Sequence, residues 1–534
     1  MIFLALGAAA GMILASRLLL HYFQLESYQF QGYFRTLMRQ WKKALLPGAA
    51  LSAAAAVLHI LLSLICKDGL GGVSGYLLAA SAGLMIVAAG LLLQKKAMNT
   101  PQKKKFVITA RVKRLYAVHG LVCLAAALSV SLLPGFGSCA WVIGLPAACF
   151  LLPLLVALSA VIALPIEKTI FHLYFRDAEK KLLENDKLIR IGITGSYGKT
   201  STKFILNTIL SQKFNVLATP ASFNTPMGVT RIIRERLTPS HQIFIGEMGA
   251  RHVGEIKELA RLVHPTIGIL TAVGPQHLDT FRTIERIEKT KYELIDALPE
   301  DGFAVFSHDG AIVTKLHDKT QKPKALVGTE NGDVWAENVH VSPEGSHFTL
   351  QIRGWEPMEC VTPLLGEHNI QNILMACAVA RHLGMNREQI ARGIAALRPV
   401  EHRLQLLRSA GGITVIDDAF NTNPRSSKEA LKVLSSFPGR RIIVTPGMVE
   451  LGTEEDRYNY EFGLAMADAV DIAVLVGKKH TLPIQKGLKE KGFPEENIHA
   501  VASLDEALAF NRENLRPGDV VMYENDLPDH YSEG

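Results

Sequence analysis

One run of the sequence has the composition of a phosphate-binding loop. Residues 188–194 have the apolar character of a buried strand, and Gly195-Ser196-Tyr-Gly198-Lys199-Thr200-Ser201 follows directly, before a helical segment that extends to about residue 211. Glycines allow backbone N–H groups to approach phosphate oxygens, and the start of a helix favours negative charge. We therefore expect Lys199 to reach the terminal phosphates of a nucleotide and Thr200 to bind magnesium.

The composition shows what kind of chain carries this loop. Of 534 residues, 48% are hydrophobic and only 20% are charged, which excludes a disordered chain and an ordinary, wholly soluble enzyme. Residues 1–164 hold 14 Lys and Arg but only two acids, Glu26 and Asp68, whereas the remainder is net acidic. Because the net charge of +7 comes from the N-terminal third, it does not indicate nucleic-acid binding, and no nucleic-acid partner is expected.

The N-terminal third is predicted to be an α-helical membrane domain. Each of its apolar runs is close to the roughly 20 residues that a helix needs to cross the hydrocarbon core. The first run could instead be a signal peptide, but it lacks a basic N-terminal region and contains Arg17. About five spans are expected, at residues 2–20, 44–66, 73–93, 115–133 and 139–164.

The loops between these runs predict the orientation of the chain. Loops 21–43 and 94–114 are rich in Lys and Arg, whereas 67–72 and 134–138 are nearly uncharged. Short cytoplasmic loops carry the excess of basic residues, so the N-terminus is expected outside and residue 165 onward in the cytoplasm. The basic side chains around Lys103–Lys105 and Arg111–Arg114 could alternatively hold anionic lipid head groups or a lipid-linked diphosphate. No central Asp, Glu or Lys marks an ion pathway, which disfavours a transporter.

Several short motifs follow the phosphate loop. Together and in this order they resemble the Mur ligases, ATP-dependent enzymes that form amide bonds in cell-wall synthesis, and the likeness runs from about Leu188 to Asp519. The motifs are Asn224-Thr225-Pro226, Glu247-Met-Gly-Ala, His277-Leu, Lys291-Tyr-Glu293, Gly366-Glu-His368-Asn369-Ile-Gln-Asn372, Asp417-Asp418-Ala-Phe-Asn421-Thr-Asn423-Pro424 and Gly447-Met-Val-Glu450-Leu-Gly452.

The resemblance implies the fold of the remaining chain. An α/β central domain with the phosphate loop would be followed by a C-terminal domain that is similar to a dinucleotide-binding fold and closes over ATP. The predicted division is a transmembrane domain over 1–164, a linker over 165–186, the ATP-binding central domain over 187–398 and the C-terminal domain over 399–534.

The resemblance also implies the activity. A carboxylate would attack the γ-phosphate of ATP, and an amine would displace phosphate from the resulting acyl phosphate. Within the family, the Glu-Met-Gly-Ala and Asn-Thr-Asn-Pro elements are most similar to members that add D-alanyl-D-alanine to a muramyl tripeptide. The implied partners are thus a muramyl-peptide or other envelope-precursor substrate, a dipeptide or amino-acid amine, and membrane lipids.

Roles for individual residues follow from the same resemblance. Lys199, His277 and Lys291 would be catalytic. Thr200, Glu247 and His277 would bind magnesium, and Lys291 would assist if it is carbamylated, as is common in the family. ATP would contact Gly195, Ser196, Gly198, Lys199, Thr200, Ser201, Asn369, Arg403 and Asp418, and substrate would contact Asn224, Thr225, Asn421 and Asn423.

The residues alone leave other interpretations open. Lys291 falls in an amphipathic, charge-rich helix over 283–298, where it could be a solvated side chain paired with a neighbouring acid. Asn369 could be a helix cap and Arg403 one half of a surface ion pair. The Asn421–Pro424 segment could be only a turn, because Asn and Pro are turn formers.

The chain also departs from the family pattern. The small N-terminal domain that holds the uridine nucleotide in most members is absent, and acidic residues follow Gly518-Asp519 where related enzymes have a Lys-Gly-Ser motif. Glu524, Asp526 or Asp529 could therefore recognise an ammonium group of the amine substrate. Two other functions stay open, a ligase for another envelope polymer such as polyglutamate and a nucleotide-binding membrane scaffold that forms no bond.

Overall fold

The computed structural model describes residues 2–65, 73–99, 105–132, 143–308, 310–408, 411–420 and 422–526. The chain divides into two compact units, residues 1–172 and 173–534. Within the described residues, the first unit is helical and the second contains two β-sheets with helices packed against them.

The first unit confirms an apolar helical region at the N-terminus. Among the described residues, four helical segments are long and apolar enough to cross a membrane: Ile2–Leu25, which comprises two consecutive helices, Leu77–Asn99, Ala110–Val130 and Leu152–Leu183. The remaining predicted span, 44–66, lies largely in the helix Trp41–Ile65, and residue 66 is outside the described residues. This span stays a prediction. The helices are α1 (Ile2–Ala15), α2 (Arg17–Leu25), α3 (Phe30–Arg39), α4 (Trp41–Ile65), α5 (Val73–Asn99), α6 (Ala110–Leu132), α7 (Leu145–Phe150) and α8 (Leu152–Leu183).

Small residues and buried hydrogen bonds hold this unit together. A Cβ added at Gly90 of α5 would lie 2.7 Å from the carbonyl oxygen of Gly11 in α1, so glycine permits the close approach of these two helices. The His119 ring contacts Ser16 Oγ at 2.7 Å and Ser159 Oγ at 2.9 Å. These bonds satisfy the buried polar side chain of His119.

The segment predicted as a linker is largely helical. Helix α8 continues without interruption from Leu152 to Leu183, and the first strand of the second unit begins at Ile189. Only five residues separate the two elements, so no uridine-binding domain is inserted between the apolar helices and the phosphate loop.

The first sheet of the second unit has nine strands and carries the phosphate loop. Its order is β2-β3-β1-β4-β5-β6-β7-β8-β9, with parallel pairing from β2 to β7 and antiparallel pairing between β7, β8 and β9. The strand predicted at 188–194 corresponds to β1. The strands are β1 (Ile189–Thr194), β2 (Val216–Ala218), β3 (Ile243–Glu247), β4 (Ile267–Leu270), β5 (Phe303–Ser307), β6 (Lys324–Val327), β7 (Val334–Ser342), β8 (Gly345–Ile352) and β9 (Met358–Thr362).

Helices surround this sheet and bury its apolar strands, as a parallel sheet requires. Helix α15 (Glu367–His382) contributes eleven buried residues, and its apolar side chains belong to the same core cluster as Ile191 and Ile193 of β1. The helices are α9 (Lys199–Leu210), α10 (Pro226–Arg236), α11 (Glu255–Val263), α12 (Leu278–Phe281), α13 (Ile284–Asp296), α14 (Ala311–Lys319), α15 (Glu367–His382) and α16 (Arg387–Ala395).

The second sheet has six strands in the order β10-β11-β15-β12-β13-β14, and only the β10–β11 pair is antiparallel. The strands are β10 (Gln405–Arg408), β11 (Thr414–Asp418), β12 (Arg441–Thr445), β13 (Ile472–Val476), β14 (Ile498–Val501) and β15 (Val520–Glu524); the helices are α17 (Pro424–Ser435), α18 (Glu455–Met466), α19 (Leu482–Glu490) and α20 (Leu504–Asn514).

Candidate active site

The phosphate loop, residues 195–201, joins the end of β1 to helix α9. Gly195 and Gly198 have φ values of 149° and 78°, which glycine adopts without the steric cost that other residues incur. A Cβ at Gly198 would also lie only 2.8 Å from Asn372 Oδ1. Ser196 fixes the loop because its Oγ donates to the carbonyl of Gly274 at 2.9 Å and accepts from the Gly274 N–H at 3.1 Å.

Lys199 folds back over this loop. Its Nζ donates to the carbonyl oxygens of Gly195 at 2.7 Å and Ser196 at 3.1 Å. Burial lowers the pKa of Lys199 to about 8, and the nearby Glu247 carboxylate partly opposes this shift. The ammonium group therefore lies over the loop beside the start of α9, and a helix N-terminus favours a bound phosphate.

The carboxylate of Glu247 is contacted by three side chains, two from helix α9 and one from the loop before α10. Thr200 Oγ1 lies 3.1 Å from both carboxylate oxygens, Lys203 Nζ lies 2.9 Å from Oε2, and Asn224 Nδ2 lies 3.1 Å from Oε1. Glu247 and Lys203 are almost completely buried. The cluster of Thr200, Lys203, Asn224 and Glu247, called the Glu247 cluster below, satisfies a buried charge with hydrogen bonds and an opposite charge.

Lys203 is a site residue that sequence reasoning missed. It lies one helical turn after Lys199 in α9 and also donates to the carbonyl oxygen of Ala221. Burial lowers its pKa, and the ion pair with Glu247 opposes this effect. The signal in the sequence is the i,i+4 spacing, which places Lys203 on the same face of the helix as Lys199.

A cavity of about 1020 Å³, counting space open to solvent, extends from the phosphate loop to the second sheet. The first sheet and its helices contribute the phosphate loop and residues of α15, and the C-terminal domain contributes charged and polar side chains. Its lining includes Ser196, Gly198, Lys199, Thr200, Ser201, His368, Asn369, Asn372, Met375, Arg403, Leu404, Asp418, Asn423, Arg425 and Glu429.

Buried amides form one wall of this cavity. Asn369 Nδ2 donates to the Leu365 carbonyl at 2.9 Å, and Asn372 Nδ2 donates to Asn369 Oδ1 at 3.3 Å. Thr202 Oγ1 of α9 donates to Asn372 Oδ1 at 3.0 Å, which connects this wall to the phosphate loop helix. Asn369 follows Gly366 at the start of α15, but its side chain bonds backward to a carbonyl and does not cap the helix.

Arg403 and Asp418 form the opposite wall. The Arg403 guanidinium lies 4.4 Å from the centre of the Phe420 ring, and burial lowers its pKa. Asp418 Oδ1 accepts from the Leu404 N–H at 3.2 Å. Burial raises the pKa of Asp418 to about 8, with a further contribution from the nearby carboxyl of Glu524, while Arg403 acts in the opposite direction.

The predicted metal ligand His277 directly follows Gln276, which lines the cavity. Its Nδ1 is 2.6 Å from Glu450 Oε2, and burial lowers the pKa of the imidazole while Glu450 opposes this shift. The contact joins the start of α12 to a loop that follows β12 in the C-terminal domain.

Comparisons with known proteins agree with this architecture. The Mur ligase middle domain matches residues 193–380, and the domain described as "Mur ligase, glutamate ligase domain" matches residues 402–523. The UDP-N-acetylmuramoyl-tripeptide–D-alanyl-D-alanine ligases of Bacillus subtilis and Mycobacterium tuberculosis H37Rv are 30% and 36% identical to this chain. Each alignment covers 62% of this chain, with 72% and 69% of the respective relative. The chain belongs to the Mur ligase family.

Solved structures give the same result. MurF from Acinetobacter baumannii aligns with a TM-score of 0.62 and 26% identity over 68% of this chain and 78% of that chain. MurF from Thermotoga maritima in complex with ADP aligns with a TM-score of 0.60 and 24% identity over 67% and 80%. The chain is accordingly an ATP-dependent ligase that forms C–N bonds, with apolar helices before its Mur ligase domains.

Lys291 is buried in this Mur ligase, so it is not the solvated side chain that the amphipathic helix also allowed. Its Nζ lies 5.9 Å from the centre of the Phe281 ring. Burial, with a contribution from the Lys199 cation, holds the pKa of Lys291 well below its usual value. Glu293 of the same motif accepts from the N–H groups of Gly254 at 3.0 Å and Lys257 at 2.9 Å, so it stabilises the start of α11.

The residues predicted to contact substrate have different surroundings. Asn224 belongs to the Glu247 cluster, whereas Thr225 caps α10 by accepting from the Gly228 N–H at 3.3 Å. Asn423 caps α17 through a capping box with Ser426 and also lines the cavity. Asn421 lies outside the described residues.

Among the acidic residues that depart from the family pattern, Glu524 is buried. Glu524, at the end of β15, is fully buried and accepts from Thr445 Oγ1 at 2.5 Å. Burial raises the pKa of Glu524 to about 7. In this conformation the Glu524 carboxyl is inaccessible to an amine substrate. Asp529 lies outside the described residues.

Lys203→Met tests the Glu247 cluster. Removing the buried cation leaves the carboxylate uncompensated, so the free energy of unfolding should fall by about 3–5 kcal/mol. The double variant Lys203→Met/Glu247→Gln should recover most of this loss, because no buried charge remains. Chemical unfolding of the full chain in nanodiscs, followed by circular dichroism, gives the values. Lys180→Met, at an exposed position, is the control; a double variant less stable than Lys203→Met contradicts the role of charge pairing.

Asp418→Asn tests the raised pKa of that carboxyl. The unfolded carboxyl ionises near pH 4 and the folded one near pH 8, so the aspartate destabilises the folded state progressively as the pH rises between these values. The variant keeps the acceptor for Leu404 and should be about 1–3 kcal/mol more stable at pH 8, with little gain at pH 4. Unfolding at both pH values measures this. Asp417→Asn, beside the exposed His402, serves as the control; an equal gain at both pH values contradicts the assignment.

Proposed function

We propose that this Mur ligase joins D-alanyl-D-alanine to the terminal carboxylate of a muramyl tripeptide. The observation that carries the proposal is the continuity of one cavity from Lys199 and the phosphate loop to Arg403 and Asp418, with the Glu247 cluster beside the loop. Relatives that share at least 30% identity over two thirds or more of their length are named for this reaction.

The proposed reaction has two steps. The tripeptide carboxylate attacks the γ-phosphorus of ATP, and the bond to the β,γ-bridging oxygen breaks, which gives an acyl phosphate and ADP. The amine of the dipeptide then attacks the acyl carbon, loses a proton and expels inorganic phosphate, which leaves the amide. Charge accumulates on the transferred phosphoryl group in the first step, and Lys199 and Arg403 are cations of the cavity lining that would stabilise it.

The donor set suits magnesium. Thr200 Oγ1 lies 3.1 Å from the Glu247 carboxylate, and the two would be oxygen ligands, while His277 would add one nitrogen; this combination favours a hard divalent cation over zinc. Bound magnesium would supply charge neutralisation at the β- and γ-phosphates. Lys291 would complete the site as a carbamate, because its lowered pKa favours the neutral amine that reacts with carbon dioxide.

Substrate would enter beside the Glu247 cluster. We assign Asn224 and Asn423 to substrate contacts, since one lies in the cluster and the other lines the cavity. Because no uridine-binding domain lies between α8 and β1, the acyl substrate can be either UDP-linked or lipid-linked. The four apolar helices support a substrate that is used at the membrane surface.

For the membrane region we propose an external N-terminus and cytoplasmic ligase domains, which the excess of Lys and Arg in loops 21–43 and 94–114 supports. Arg114 donates to both carboxylate oxygens of Glu167 at 2.7 and 2.9 Å, and Arg111 lies 3.9 Å from the centre of the Tyr28 ring. These pairings favour a structural role for the two arginines over binding of head groups. Lys103 and Lys104 lie outside the described residues.

The substrate assignment can be tested with the full chain in nanodiscs. Phosphate release from ATP should require UDP-muramyl tripeptide or its lipid-linked counterpart together with D-alanyl-D-alanine, and mass spectrometry should detect the pentapeptide. Lys199→Ala should lower the rate at least 100-fold, because it removes a cation that stabilises the transferred phosphoryl group.

The control is Lys213→Ala, which removes an exposed lysine from the end of the same segment. Release with glutamate in place of the dipeptide would contradict the proposed amine and support a polyglutamate-type ligase. ATP binding without product from any of these pairs would support the membrane scaffold.

The proposed topology predicts the labelling of single cysteines by a membrane-impermeant maleimide in intact cells. In a cysteine-free background, Asp68→Cys should be labelled, whereas Lys95→Cys and Lys180→Cys should react only after permeabilisation. Lys180 is highly exposed, so protection in intact cells reports its compartment and not its burial. Labelling of Lys180→Cys from outside contradicts the cytoplasmic placement.

A further inference from the structure

A single carboxylate of the C-terminal domain contacts two residues that follow strands of the nine-stranded sheet. Glu450 Oε2 lies 2.6 Å from His277 Nδ1, and Glu450 Oε1 lies 3.1 Å from Arg251 Nη2. The side chains of Glu450 and His277 are 12% and 15% exposed, so solvent screens their contact only weakly. Arg251 is 59% exposed, which makes its ion pair the weaker of the two interactions.

The loop that carries Glu450 is itself firmly held. Asn459 of α18 accepts from the Met448 N–H at 2.8 Å and donates to the Met448 carbonyl at 2.9 Å. Leu451 is buried in the core of the C-terminal domain, and Gly452 packs close to the backbone of Asp279. Glu450 has a φ of 65°, a conformation that non-glycine residues adopt at a cost of about 1 kcal/mol or more. The packing around the loop maintains this conformation, which directs the carboxylate to His277.

The hydrogen bond determines which imidazole nitrogen can bind a ligand. A carboxylate only accepts, so His277 Nδ1 must carry the proton and donate it to Glu450. The lone pair is then on Nε2, and the ring orientation is fixed by the carboxylate. Carboxylates that hold histidine ligands in this way commonly change metal affinity by 10–100-fold when they are removed.

We propose that Glu450 is a positioning residue that links the seating of the C-terminal domain on the nine-stranded sheet to the metal-binding tautomer of His277. The inference rests on the proposed role of His277 as a metal ligand. When the two domains are joined as in this structure, Glu450 orients the imidazole; when the loop withdraws, the imidazole loses its fixed tautomer. The site would thus be complete only with the C-terminal domain in place, which limits hydrolysis of ATP before closure.

An alternative interpretation of the same contacts is that Glu450 acts only as an ionic clamp, which holds the two domains together through its ion pair with Arg251. The two interpretations predict different behaviour for Glu450→Gln. The amide oxygen of glutamine still accepts from His277 Nδ1, whereas the charge that attracts Arg251 is lost. Positioning therefore predicts that Gln largely replaces Glu, and an ionic clamp predicts that Gln fails as Ala does.

The test uses Mn²⁺ as the probe, with the full chain in nanodiscs and a non-hydrolysable ATP analogue. Electron paramagnetic resonance measures Mn²⁺ affinity, and pulsed experiments detect the ¹⁴N coupling of a directly bound imidazole. The coupling should be present in the wild type and absent in His277→Ala. Glu450→Ala should lose the coupling and bind Mn²⁺ about 10-fold or more weakly at this site, while Glu450→Gln should retain both within about threefold.

Two controls separate positioning from damage to the fold. Glu454→Ala removes an exposed carboxylate close to the same loop and should match the wild type. Affinity for ADP in the presence of EDTA should be unchanged in every variant. If Glu450→Ala weakens ADP binding as well, the comparison of Glu450→Gln with the wild type decides the question.

Three results would overturn the proposal. These are unchanged ¹⁴N coupling and Mn²⁺ affinity in Glu450→Ala, failure of Glu450→Gln together with Glu450→Ala, and absence of ¹⁴N coupling in the wild type. No tripeptide or dipeptide is present in this experiment, so its outcome does not depend on the substrate assignment, which the ligase assay tests separately.

Discussion

The active site depends on one buried charge, the carboxylate of Glu247. It lies at the end of β3, where desolvation would be costly without compensation, and Lys203, Thr200 and Asn224 all converge on it. Thr200 and Lys203 belong to α9, the helix after the phosphate loop, and Asn224 belongs to the loop before α10. The Glu247 carboxylate therefore fixes α9, the loop before α10 and β3 relative to one another. Because the phosphate loop leads directly into α9, these contacts also position the phosphate loop.

The two sheets contribute to the site by the same rule. In a parallel sheet the carboxyl ends of the strands lie along one edge, where loops and helix starts provide polar groups. Gly195 follows β1 and Glu247 ends β3 in the first sheet, while Asp418 ends β11 in the second. The cavity lies between residues of these two edges, so a nucleotide bound there would contact both domains and favour the conformation in which they are joined.

The sequence predicted most of the first edge, because its signals are local. A strand, a glycine loop and a helix occur within about 25 residues of one another. It did not predict the pairs Lys203–Glu247 and His277–Glu450, because these contacts depend on how distant segments fold together, the second across 173 residues. Thr225 and Asn423 illustrate another limit, since residue types that bind substrates are also those that cap helices. The continuous helix Leu152–Leu183 includes most of the segment assigned to a linker, where polar composition obscured helical character.

The charge balance of the cleft explains why buried acids can lie close to a phosphate site. Burial raises the pKa of Asp418 to about 8 and that of Glu524 to about 7, so near neutral pH both carboxyls carry much less charge than exposed acids would. Lys199, with a pKa lowered to about 8, remains largely cationic at the same pH. An incoming nucleotide brings negative charge that stabilises the Lys199 cation and further favours the protonated acids. The site therefore attracts phosphates although its C-terminal wall contains carboxyl groups, and a fully ionised Asp418 would weaken this attraction by direct repulsion.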